Sequence, residues 1–303
     1  MKIENRNRWT KFALVSLIII AIALVLTIIG RGLNLGVDFT GGTIMTYNMG
    51  TDFDVNDIEN ALTQSGVSNA QIAKIGSDGQ QAQIRIADSD NTDELRDSIE
   101  NTLREKYAGL EYVDITRVGP TAGSELVRNA VQSMIWAAVL MLIYIAIRFD
   151  FYMGLAAVIG LAHDIAIMLS FTIILRGIIR VETTYIAALL TIVGYSINNT
   201  IIIFDRIREN HRKAAYASLA REEVVTISVK ESLGRTINTT LTTLVTILCL
   251  YILGVASIKE FALPIIVGIL AGVYSANLIN GYIWAALTEL RASRAAQKKA
   301  AKA

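Results

Sequence analysis

Inside the apolar run Phe151 to Leu175 two ionisable residues stand side by side, His163 and Asp164. They lie about twelve residues from one end, near the middle of a helix long enough to cross a bilayer. A carboxylate at that depth can neither reach the headgroups nor ionise cheaply without a partner. The chemistry these residue types suggest is therefore gain and loss of a proton or passage of a small cation. A second polar site lies in Thr183 to Phe204, where Gly194-Tyr195-Ser196-Ile197-Asn198-Asn199 places adjacent amides near the run's end. Arg235 stands directly before the run Thr236 to Ile258, and a stripe of Asn238 or Thr239, Thr242, Thr246 and Cys249 follows it at helical spacing. Asp164, Arg235, Asn198, Asn199 and His163 are the candidates for ion coupling.

Plainer readings stay open for three of these features. His163 can serve as a hydrogen-bond partner inside a helix bundle. Arg235 can extend to the headgroups, and the threonines can bond to carbonyls of their own helix. Enzyme chemistry finds little support. Neighbours in sequence point about 100° apart on a helix, which disfavours joint ligation of one ion by His163 and Asp164. The other histidine, His211, sits among basic residues, and no nucleophile-elbow signal accompanies a serine. No metal site and no cofactor is expected.

Six elements must position these residues. The chain has 303 residues, 53% of them hydrophobic, with mean hydropathy +0.46, which points to a membrane protein. The uncharged run Phe12 to Gly30 is long enough to cross a bilayer and offers no small-residue cleavage site, so it is expected to remain as a helix. Asn129 to Ile147, Phe151 to Leu175, Thr183 to Phe204, Thr236 to Ile258 and Phe261 to Thr288 bring the count to six. In the last, Gly268, Gly272, Ala276 and Asn280 recur every four residues, a close-packing stripe; Gly160 and Ala157 share the face of Asp164. Basic residues sort Arg148, the cluster from Arg206 to Lys230 and the C-terminal tail to one side, which places both termini in the cytoplasm. The single cysteine, Cys249, excludes an intrachain disulfide.

Between the first two runs the pattern is that of a water-soluble domain. Arg31 to Arg128 carries sixteen acids against eight bases, a balance of −8, and leaves +9 elsewhere. Acidity there argues against nucleic acid as a partner. The order is β-α-β-β-α-β: strands Thr43 to Asn48, Asn69 to Ile75, Gln81 to Ala87 and Leu110 to Val118, with helices Asp54 to Ser65 and from about Thr92, and a turn at Ser77-Asp78-Gly79. That order is ferredoxin-like. The expected architecture is a mainly α membrane protein of six transmembrane helices with one α+β ferredoxin-like extracytoplasmic domain between helices 1 and 2. Residues 1–30 form the N-terminus and first helix, 31–128 the outer domain, 129–288 helices 2 to 6 and 289–303 a basic cytoplasmic tail.

Val37-Asp38-Phe39-Thr40-Gly41-Gly42 after the first run and Gly119-Pro120-Thr121-Ala122-Gly123-Ser124-Glu125-Leu126 before the second resemble the SecF family. So do Ala162-His163-Asp164, the stretch from Gly194 to Thr200 leading into Phe204-Asp205-Arg206-Ile207-Arg208-Glu209-Asn210, and Glu231 to Thr243. The resemblance covers nearly the whole chain, in order. It implies a non-enzymatic subunit of the bacterial protein-export machinery in the cytoplasmic (inner) membrane, related to the multidrug exporters of the RND superfamily. Its implied partners are SecD, the SecYEG channel, the exported unfolded polypeptide and membrane lipid, and its implied drive is the proton or sodium gradient. The alternative is a half-transporter of the same superfamily exporting a small solute or lipid; a scaffold is the third class. One departure stands out: the family's aspartate, implicated with the arginine matching Arg235 in ion conduction, is replaced here by Asn199. An amide does not titrate, which leaves Asp164 or a SecD carboxylate to carry coupling. A new carboxylate at 199 is expected to pair with Arg235.

Overall fold

The computed structural model describes residues 2–67, 70–76, 79–86, 92–254 and 256–300. It is mostly helical, with six helices long and apolar enough to cross a membrane and one small antiparallel sheet. The first helix, α1 (Lys2–Ile28), is followed by a single turn, α2 (Val37–Thr40). Then come β1 (Gly42–Asn48), α3 (Val55–Gln64), β2 (Gln71–Ile75), β3 (Gln81–Ile86), α4 (Thr92–Lys106) and β4 (Glu111–Val118). The strands pair in the order β2-β3-β1-β4, every neighbour antiparallel. Alternation along β1 buries Met45 and Tyr47 against Ile58, Ala61 and Leu62 of α3 and Ile99 and Leu103 of α4. Those helix positions recur at spacings of three and four, which places one apolar stripe of each helix on the sheet. Asp54 starts α3 by accepting the Asn56 N–H at 3.0 Å. The expected turn at Ser77-Asp78 and the strand ends at Asn69 and Ala87 lie outside the described residues.

The membrane bundle is α5 (Pro120–Arg148), α6 (Phe151–Ile174), α7 (Thr183–His211), α8 (Arg221–Leu253) and α9 (Ala256–Ser275), with α1. α9 continues through a π turn, Ala276–Asn280, into α10 (Gly281–Ala300). The α9–α10 rod and α7 form the centre: 61% and 50% of their most apolar windows are buried, against 11% for α1, α5 and α8. Small residues permit this closeness. A Cβ at Gly268 would strike the Ile192 side chain of α7, and one at Gly272 would lie 3.2 Å from the Ser196 Cα.

The helices outrun the apolar runs from which they are predicted. The expected basic loop from Arg206 to Arg235 is helix at both ends, and only residues 212–220 connect α7 to α8, with a short 3₁₀ turn at Ala214–Tyr216. Charge pairs sustain these polar ends: Arg206 bridges Glu209 at 2.6 Å and Glu231 at 2.7 Å, and Asn210 Nδ2 donates to Glu231 at 2.6 Å. The Glu223 carboxylate accepts the Ala220 N–H at 3.2 Å at the start of α8. Helix also begins at Pro120 rather than at Asn129, with the proline in the first turn where its missing N–H costs nothing. α8 stops at Leu253 before Gly254, so Ile258 belongs to the next helix. The tail expected from residue 289 is helical to Ala300.

Candidate functional site

Asp164 is fully buried where α6 meets α1, α7 and α9. Its Oδ1 lies 2.9 Å from His163 Nδ1, and its Oδ2 accepts from Ser196 Oγ of α7 at 2.5 Å and from Ser275 Oγ of α9 at 2.8 Å. The far nitrogen of the ring, Nε2, is 2.7 Å from Ser16 Oγ of α1. Tyr274 stacks on the imidazole at 6.1 Å and donates to the Phe12 carbonyl, tying α9 to α1. The carboxylate and its neighbouring imidazole together thus join four helices. The 100° separation of His163 and Asp164 predicts side chains that point apart, but the imidazole folds round the helix onto the carboxylate because Ser16 holds its far edge and Tyr274 covers its face.

Protonation and geometry are linked here. With Nδ1–H on His163, an ionised Asp164 receives three hydrogen bonds. A protonated Asp164 has a hydrogen to donate, and the imidazole can accept it on Nδ1 if it carries its own proton on Nε2 toward Ser16. A proton on Oδ1 of Asp164 therefore reverses the donor and acceptor along the His163–Ser16 link to α1, while Ser196 of α7 and Ser275 of α9 still donate to Oδ2.

The adjacent amides separate. Asn198 faces outward, whereas Asn199 is fully buried and neither atom of its amide finds a hydrogen-bond partner among the described residues. Beyond them, Asn280 Nδ2 donates to Thr200 Oγ1 at 2.8 Å and leaves its Oδ1 unpartnered against Gly160. Thr236 Oγ1 meets Asn277 Oδ1 at 3.3 Å. Both asparagines, 277 and 280, lie in the π turn, a distortion that widens the helix at this level.

Arg235 is exposed on α8, and among the described residues its guanidinium joins no ion pair. The structure does not bring it to Asp164, whose only ionisable partner within salt-bridge distance among the described residues is His163. The threonine stripe behind it satisfies itself, Thr239, Thr242 and Thr246 donating to carbonyls of their own helix. Cys249 is exposed.

The glycine-rich motifs form the joint between sheet and bundle. Asp38 Oδ2 accepts from the Thr183 N–H at 2.9 Å and from its hydroxyl at 2.6 Å, capping α7 from another part of the chain. The Gly36 N–H donates to Val181 and the Val181 N–H to Asn34, at 2.7 and 2.8 Å. Gly41 and Gly42 hold φ of 76° and 144°, which a side chain rarely adopts, and a Cβ at Gly42 would strike the Ile86 carbonyl. Gly123, one turn beyond Gly119 and Pro120 in α5, lets the backbone of Phe39 come within contact of α5. Gly194 faces open space. Asp205 pairs with Arg208 at 3.5 Å, and Arg206 joins α7 to α8 as described.

Also at this joint, Arg85 of β3 meets Glu182 at 2.6 Å. Burial pushes the Glu182 carboxyl above its ordinary range, against the pull of Arg85. Sequence reasoning missed this pair, as it missed Ser16 and Ser275, and it noted Ser196 only as part of the polar stretch Gly194 to Asn199 and not as a partner of Asp164. A lone serine in an apolar run carries little signal; only its spacing from Asn199 and Gly272 marks Ser196 and Ser275 as inward-facing.

Comparison with known proteins gives the family of the chain. The C-terminal model of the protein export membrane proteins SecD/SecF matches residues 98–290, and the SecD/SecF GG motif matches residues 27–52. Protein translocase subunit SecF of Haemophilus influenzae is 34% identical over 83% of this chain and 76% of its own length. SecF of Calditerrivibrio nitroreducens is 34% identical over 90% of each. The crystal structure of SecDF, a translocon-associated membrane protein, from Thermus thermophilus superposes with TM-score 0.78 and 34% identity over 93% of this chain. A SecDF structure in a super-membrane-facing form gives 0.70 and 31% over 97%. This chain spans 38% and 39% of the length of those two. With a family model matched over more than half its length and SecF relatives matched nearly end to end, this multi-pass membrane protein belongs to the SecD/SecF family of protein export membrane proteins.

Proposed function

We propose that the chain is the SecF-type accessory subunit of a protein translocase, working with SecD beside the SecYEG channel to help unfolded polypeptides out of the cytoplasm, and that it catalyses no reaction of its own. The observation that carries its mechanism is the buried carboxylate of Asp164, hydrogen-bonded to side chains of α6, α7 and α9. A proton or sodium ion passing this point changes the charge there and so favours one of two helix arrangements over the other. Asn199, where the family carries aspartate, leaves that role in this chain to Asp164 or to the partner.

The exposed faces support a SecD partner. Asn198, Arg235 and Asn238 face outward from membrane helices, where polar groups ask for a protein neighbour rather than lipid. In this reading residues 31–128 include a ferredoxin-like domain outside the cytoplasmic membrane, consistent with its strand order β2-β3-β1-β4. Residues 129–288 hold helices 2 to 6, and both termini and the 289–303 tail lie inside, following the basic residues. Export into inverted membrane vesicles, with and without an imposed proton or sodium gradient, tests the proposal. Vesicles lacking the chain should lose the gradient-dependent increment; an unchanged increment would refute it.

A further inference from the structure

At the end of the bundle where the turn Phe149–Asp150 joins α5 to α6, a cavity of about 430 Å³ opens between α6, α7, α8 and α10. Three guanidinium groups line it, Arg208, Arg221 and Arg291, together with His211, against the single carboxylate of Asp150. Asp150 is occupied in part, accepting the Tyr152 N–H at 3.3 Å as the cap of α6. Arg208 donates to the Arg148 carbonyl, stands 4.9 Å from the Phe149 ring and lies 3.5 Å from Asp205. Arg291 lies 5.3 Å from the Tyr152 ring. Among the described residues neither Arg221 nor Arg291 joins an ion pair.

An independent observation points to an acceptor from outside. Trp284 lines the same cavity and is 5% exposed, yet its buried Nε1–H has no hydrogen-bond partner among the described residues. A buried indole donor without an acceptor is uncommon. Here it stands among cations in excess, in a wall that also carries the apolar Met153 and Phe149.

We propose that this cavity binds the phosphate of an anionic phospholipid headgroup. Guanidinium groups and an N–H donor suit the fixed geometry of phosphate oxygens. A two-residue connection between membrane helices marks the edge of the bilayer, so the cavity lies at headgroup level. Its apolar wall suits the glycerol and first methylenes of a lipid, which free phosphate lacks. Basic pockets between membrane helices recognise anionic headgroups in this way.

The chain has three tryptophans, so the full-length protein carrying Trp9→Phe and Trp136→Phe reports from Trp284 alone. It is reconstituted in phosphatidylcholine vesicles containing equal small fractions of brominated phosphatidylglycerol or brominated phosphatidylcholine. Fluorescence should be quenched preferentially by the anionic lipid. Arg221→Gln and Arg291→Gln should each lower that preference about fivefold, while Lys230→Gln on exposed surface should leave it. Equal quenching by the two lipids in the protein with its arginines intact overturns the proposal, and that comparison needs no variant of the cavity. Loss of the preference on adding millimolar inorganic phosphate also overturns it, assigning the cavity to a soluble anion.

Discussion

Replacing Asp164 by asparagine separates the carboxylate's charge from its hydrogen bonds. The amide oxygen can still accept from Ser196 and Ser275, which now reach one oxygen at 2.5 and 2.8 Å. The amide nitrogen can donate to His163 Nδ1 once the ring carries its proton on Nε2 toward Ser16. Every existing partner stays satisfied and only the second amide N–H lacks an acceptor, so the loss of stability should stay near the low end of the cost of one unpartnered donor, about 1 kcal/mol. Asp164→Ala, by contrast, leaves the hydroxyl of Ser196 and the imidazole without their acceptor in a buried site. It should cost about 2 to 4 kcal/mol. Function should follow charge instead. One elementary charge crossing 100 mV is worth about 2.3 kcal/mol, a factor of about 50 between two arrangements, and the asparagine variant forfeits all of it. Preprotein export in inverted vesicles should therefore lose its gradient-dependent increment in Asp164→Asn while the purified variant keeps its thermal midpoint and its recovery with SecD. Full stimulation in that variant would refute the reasoning and move coupling to the partner. A matching loss of stability would show that the hydrogen bonds, rather than the proton, matter.

Gly272→Leu should destabilise the bundle by about 3 kcal/mol, since even a Cβ there stands 3.2 Å from Ser196 Cα; a thermal midpoint equal to that of the parent chain would count against the packing. Glu182 has a raised carboxyl range, so its contribution to stability is present below about pH 4.5, the ordinary glutamate value, and is lost as pH rises through the raised one. Thermal midpoints compared between pH 5 and pH 8 should show a smaller difference in Glu182→Gln than in the parent. For sidedness, Ser98→Cys and Ser218→Cys are placed in a Cys249→Ser background. Ser98→Cys should react with an impermeant thiol reagent in intact spheroplasts and Ser218→Cys only after lysis, and the reverse pattern would invert the topology.

The spans and the succession of strands and helices along the chain could be read from the sequence because both rest on periodicity: uninterrupted apolar runs for helices such as α6, strict alternation for β1 and β3. The helix ends could not. Arg206, Glu209 and Glu231 look like loop residues in one dimension, and become helix only because α7 and α8 place them opposite one another. Asp164 was conspicuous as a midplane acid, but its partners were not, since Ser16, Ser196 and Ser275 are separated by more than 250 residues and share no pattern. Arg235 is a candidate through the family resemblance, and which way its side chain faces could not be read in one dimension; it faces outward from α8. Asn199 was noticed by comparison with its family's pattern, whereas its buried, unpartnered amide is a fact of three dimensions alone.

The cap that Asp38 places on Thr183 has a mechanical meaning. It fastens the first turn of α7 to the sheet-bearing part of the chain, and α7 runs without a break from that anchor to Ser196. Thirteen residues of helix make a stiff arm of about 20 Å. A tilt of about 5° at the anchor swings the far end through about 1.7 Å, more than the contact between Ser196 and Asp164 can absorb at 2.5 Å. Any force that tilts the sheet-bearing part against the bundle would thus act, through α7 as a lever, on the single hydrogen bond between Ser196 and Asp164.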